Sequence, residues 1–176
     1  MYQLDDVRAR MSRVRDSYEK GEDAAGEERP LRGYIALLST YAGLTAAAAT
    51  AVHRKGVSAD RPGVVDIALL AAATFRVSRT LAKDAVASPL RAPFATYQGP
   101  GGPGEVMEAP RPGPYRHAAG ELVTCPFCLT QWVATAGVVG YAMFPKATRW
   151  AAAGMTAVAA ADALHFGYAK LQAAVE

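Results

Sequence analysis

The chain has 176 residues, room for one ordinary domain, and carries 19 basic against 16 acidic side chains for a formal charge of +3. Bases and acids are interleaved over most of its length, which argues against a nucleic-acid surface. Hydrophobic residues make up 51% of the chain while its mean hydropathy is only +0.04, because charged and apolar residues are segregated into alternating blocks. That alternation is the pattern of a protein built around a bilayer. Much of the apolar content is alanine, which gains little on insertion, so a soluble all-helical bundle with an Ala-rich core is the competing reading.

From the N-terminus, Leu4, Val7, Met11, Val14 and Tyr18 recur at helical spacing and form one stripe. Asp5, Asp6, Arg8, Arg10, Arg13, Arg15 and Asp16 occupy the other faces. The spacing predicts an amphipathic helix lying on a membrane surface or on the rest of the protein, or a short coiled coil with another copy. A charged Gly/Glu-rich linker at 21–30 follows, so residues 1–30 form one charged unit and 31–176 a transmembrane helical domain. No secretory leader is expected, since 32 highly charged residues precede the first apolar run, which should therefore stay in the mature protein.

The first span is expected at about 33–52, 20 residues without a charge, and at 1.5 Å per residue it matches a hydrocarbon core of roughly 30 Å. The second, at about 64–83, opens with Pro62-Gly63 and carries Asp66 and then Arg76, Arg79 and Lys83 on one helix face. A loop at 88–121 is expected to hold neither helix nor core, given its many prolines and glycines. The third and fourth spans are expected at about 124–144 and 148–169, with Pro145-Lys146 as the tight turn between them.

The expected fold is thus all-α, a four-helix transmembrane bundle with an amphipathic N-terminal helix and a Pro/Gly-rich loop. Four spans place both termini and the long loop on one side with 14 Lys/Arg, against five on the other, which makes the termini cytoplasmic in a multi-pass cell-membrane protein. Arg76 lies about 18 Å and Asp162 about 21 Å from the outer end of their spans, so Arg76 or Arg79 with Asp162 is a candidate buried ion pair. His165 lies one turn beyond Asp162. The pair reads as structural glue or as part of a proton or ion path.

The chain's only two cysteines form Cys125-Pro126-Phe127-Cys128 where the polar loop gives way to an apolar run. Three readings stay open: a helix start shaped by reduced cysteines, a redox pair, or half of a metal site. Redox catalysis is disfavoured by the cytoplasmic side and by the lack of a second cysteine pair. A zinc site would need four ligands, and His117 alone is on the right loop to join Cys125 and Cys128, unless two copies share a Cys₄ site. No phosphate loop, Ser-His-Asp arrangement, paired catalytic carboxylates or zinc-protease motif is present, which argues against an ordinary soluble enzyme.

The segments Ala73-Thr74-Phe75-Arg76-Val77-Ser78-Arg79, Lys83-Asp84, Ser88-Pro89-Leu90-Arg91-Ala92-Pro93-Phe94 and Gly120-Glu121-Leu122-Val123-Thr124-Cys125-Pro126-Phe127-Cys128 resemble a bacterial membrane family, the domain of unknown function 1360. The resemblance covers about residues 63–145 and extends to Trp132, while Thr130-Gln131 stand where the family has Gly-Phe. It implies a small integral-membrane protein without an assigned activity.

These readings converge on a scaffold or interaction protein with no expected cofactor, for which an enzyme activity is left open but disfavoured. Its expected partners are the lipid bilayer and another copy or another membrane protein. The alternative is a membrane thiol redox or zinc-binding protein using Cys125 and Cys128.

Overall fold

The computed structural model describes residues 2–19, 29–56 and 61–175. The linker expected at 21–30 therefore lies outside the described residues, apart from Arg29 and Pro30.

Helix α1 (Tyr2–Glu19) carries its apolar stripe outward, with Leu4, Val7, Met11, Val14 and Tyr18 all exposed. The next long helices are α2 (Leu31–Arg54) and α3 (Val64–Lys83). A 3-10 turn at Ala85–Ala87 leads into the short α4 (Ser88–Arg91). A hairpin of β1 (Ala95–Pro100) and β2 (Val106–Pro110) follows, and α5 (Pro114–Thr124), α6 (Pro126–Met143) and α7 (Pro145–Ala173) complete the chain.

Local chemistry sets these boundaries. Asp66, in the first turn of α3, accepts the Gly63 N–H at 3.1 Å and so satisfies one of the donors that every helix start leaves open. Pro114, Pro126 and Pro145 each stand at the opening of their helix, where the missing N–H costs nothing and the fixed φ is already helical.

The long helices pack in two parallel pairs. α2 and α6 run the same way, joined by the Tyr41 and Thr135 hydroxyls at 2.7 Å and, at their far ends, by Lys55 over the Phe144 ring at 4.9 Å. α3 and α7 run together in the opposite direction: Arg149 meets Asp66 near their starts at 2.8 Å, and Thr156 donates to the Leu69 carbonyl at 3.1 Å. α3 also packs along α6, where Thr130 donates to Ser78 at 3.2 Å and Tyr141 to Asp66 at 2.8 Å.

The loop expected at 88–121 is corrected. It holds α4, an antiparallel hairpin and most of α5, and it buries Arg91, Ala95, Ala118 and Gly120. Pro100 and Pro110 end strands, and Pro89 and Pro114 open helices instead of breaking them, while Gly99, Gly104 and Gly113 take the positive φ values of a bulge, a turn and a helix start. Composition averaged over the segment hid this, because in short elements Pro and Gly act by position.

The hairpin turn is fastened to the end of α3 by Ala85 N–H to the Gly104 carbonyl at 3.0 Å. α5 lies against the start of α2, and a Cβ at Gly33 would stand 2.1 Å from the Pro114 carbonyl oxygen. Only glycine permits that approach. Hairpin, α4 and α5 together form a cap over one end of the helix pairs.

Candidate functional site

Among the described residues charged side chains gather in four places, three of them at the cap end. The first surrounds Arg76. Its guanidinium bonds Asp84 at 2.9 Å, and its Nε stands 3.0 Å from Asp162 in an ion pair without hydrogen-bond alignment. Arg79, the other cation proposed for Asp162, turns instead to Glu105 in the hairpin at 2.6 Å. Three residues on, Arg79 stands about 4.5 Å further along α3, nearer the cap. His165 is exposed on α7 and takes no part in the cluster.

The second place is Arg91, whose side chain is 1% exposed. It pairs with Glu108 of β2 through Nε, donates to the Leu81 carbonyl at 2.8 Å, and reaches the Asp84 carbonyl and the Ser88 hydroxyl at 3.1 Å each. Leu81 and Asp84 lie at the end of α3, where carbonyls lack helical partners, so one guanidinium closes that helix and ties it to the hairpin. Sequence reasoning did not assign this role. Its only signal was the lone cation of the Ser88-Pro89-Leu90-Arg91 segment, beside a carboxylate 17 residues away.

The third place is the junction of α5 and α6, which meet at 79°. Cys125 ends the one helix and opens the other in extended conformation, and its sulfur accepts the Cys128 N–H at 3.3 Å. The two sulfurs stand 2.7 Å apart; Cys125 is half-buried and Cys128 exposed. One turn before Cys125, Glu121 accepts from the Tyr34 hydroxyl and pairs with Arg29 at 2.9 Å, while His117 Nε2 lies 3.7 Å away. His117 thus turns to Glu121, and among the described residues no three His, Cys, Asp or Glu side chains converge as metal ligands would. The fourth place, Asp66 with Arg149 and Tyr141, lies at the opposite end of α3.

Thr130 and Gln131 both bond to neighbouring helices, Thr130 to Ser78 and Gln131 Nε2 to the Tyr41 hydroxyl at 2.7 Å. Tyr41 also meets Trp132 edge to face, with ring centroids 5.1 Å apart, above a groove lined by Leu44, Thr45 and Val139.

Among the described residues α2 is long and apolar enough to cross a membrane, and the bent pair α5–α6 reaches the same mark taken as one span. These features define a predominantly helical protein with a two-stranded hairpin in its cap, in which one described helix passes the length and apolarity mark of a membrane span. A family model described as "Protein of unknown function (DUF1360)" matches residues 69–168, and the chain belongs to that family. No curated protein and no solved structure matches the chain.

Proposed function

We propose that this is a multi-pass membrane protein in which α2, α3, α6 and α7 cross the bilayer and the cap forms a rigid cytoplasmic platform for another copy or another membrane protein. The observation that carries the reading is an inverted distribution of side chains. Among the described residues the buried ones are alanines and glycines with Asp66, Thr74, Ser78 and Arg91, while Ile35, Leu38, Leu44, Ile67, Phe75, Val138, Trp150 and Leu164 are exposed on the long helices. Water would favour the reverse. In lipid, small residues let helices approach closely, polar side chains bridge them, and large apolar groups face the tails.

The charges of α3 and α7 fit the same scheme. Asp66 and Arg76 lie ten residues apart, about 15 Å of rise, so both fall within the depth of a hydrocarbon core. Each has a partner on α7, Arg149 and Asp162, as intramembrane charge requires. The split of 14 Lys/Arg in residues 1–32, 76–121 and 170 against five elsewhere favours a cytoplasmic cap. On the cap, Leu90, Tyr97, Met107 and Tyr115 are exposed, which supports a docking role over catalysis.

Topology reporters test this reading. Fusions after residue 100 and after Glu176 should both report cytoplasm, and an insertion between Gly56 and Asp60 the exported side. Opposite signals at residue 100 and the C-terminus would overturn the four-span arrangement.

A further inference from the structure

The platform reading leaves the pair at the α5–α6 bend without a task, although its geometry is that of reactive thiols. Cys125 occupies the N-cap of α6, and Pro126 after it has no N–H, so the first turn directs the Cys128 N–H onto the Cys125 sulfur. The Cys128 thiol points at the same atom from 2.7 Å. Two donors and the N-terminal end of a helix thus converge on one sulfur. Glu121, the nearby carboxylate that would oppose negative charge there, is already engaged by Arg29 and Tyr34. Access is open, since Cys128 is exposed and Phe127 is 89% exposed beside it.

We propose that Cys125 and Cys128 form a thiol–disulfide exchange site whose substrate is the disulfide of a small aliphatic thiol, Cys125 being the attacking sulfur and Cys128 the resolving one. The Cys125 thiolate attacks one sulfur of the substrate, forming a mixed disulfide and expelling the first thiolate. Cys128 passes its proton to that thiolate, directly or through water, and attacks the Cys125 sulfur, releasing the second thiolate, which takes a proton from water. The protein dithiol gives up two electrons to become an intramolecular disulfide, and the substrate gains them to become two thiols. Little motion is needed, because a bonded pair of sulfurs stands at about 2.05 Å, so closure shortens the separation by under about 1 Å.

The full chain, purified in detergent and fully reduced, would be incubated with mixtures of oxidised and reduced glutathione, quenched in acid and read by maleimide gel shift and mass spectrometry. Both thiols should disappear together in one transition without dimer. Cys128→Ser should accumulate a single glutathione adduct on Cys125, and Cys125→Ser should react more slowly than Cys128→Ser by about threefold, because only Cys125 stands at the helix terminus. Serine is a good N-cap at position 125, and Cys128 is exposed, so both variants should fold.

Equal rates for the two single-cysteine variants would overturn the proposal. A dithiol that stays reduced in excess oxidised glutathione, disulfides formed only between chains, or stoichiometric zinc that blocks the reaction would do the same. The measurement is made in detergent, so its failure leaves the topology reading untouched, and failure of that reading leaves the exchange chemistry standing.

Discussion

Arg76 and Arg91 lie 15 residues apart and both serve the end of α3, yet they do different work. Arg76 reaches outward along the helix pair to two carboxylates, Asp84 and Asp162, and the Asp162 side chain keeps 40% of its exposure. Arg91 reaches inward from the cap, fully buried, and divides its donors between two backbone carbonyls and the Glu108 and Ser88 side chains. A pair of charges between two helices can be lost with each side chain still able to reorient. A guanidinium that closes a helix end has no substitute, because the carbonyls it serves cannot move without unwinding the helix.

The largest effect should therefore come from Arg91→Ala. It strands Glu108, whose side chain is 6% exposed, and breaking a buried ion pair on one side costs about 3–5 kcal/mol. The thermal unfolding midpoint in detergent should fall steeply. Arg91→Lys should recover less than half of the loss, because a single ammonium cannot reach three acceptors in fork geometry. A midpoint unchanged by Arg91→Ala would erase the contrast between the two arginines.

Next in size is Gly33→Ala, at the seam where the cap rests on α2. The added methyl would stand 2.1 Å from the Pro114 carbonyl oxygen and 2.7 Å from the Ala118 Cβ, and overpacking of this kind costs about 1–3 kcal/mol. Limited proteolysis within 114–124 should speed up in this variant. Unaltered cleavage would mean that the cap is held by its α3 contacts alone.

The smallest effect should come from the seam between α3 and α7. A double-mutant cycle on Arg76→Ala and Asp162→Ala should give a coupling of about 0.6 kcal/mol and no more than about 1.7 kcal/mol, the average and the maximum for polar pairs between membrane helices. The matching Arg79 and Asp162 cycle should give none, since Arg79 is committed to Glu105. Equal coupling in both cycles would show that Asp162 is shared by the two arginines.

What the sequence determined by itself follows from period and hydropathy. The boundaries of α3, the turn at Pro145 and the helical stripe of Leu4 to Tyr18 could all be read in advance, because they depend on neighbours within one or two turns. Arg76 and Asp162 could be matched by depth, since rise per residue is constant along a helix. The choice between Arg76 and Arg79 could not, because it turns on how far α3 is rotated against α7.

The tertiary structure alone decided the cap. Arg91 and Glu108, Arg79 and Glu105, and Glu121 with Arg29 and Tyr34 join residues that no local period relates. The hairpin between them is short, twice interrupted by glycine at positive φ, and flanked by prolines, so its signal in composition is that of a loop. Its order comes from Arg91 and from the close approach of α5 to Gly33, and such long-range contacts exist only once the helices they join are in place.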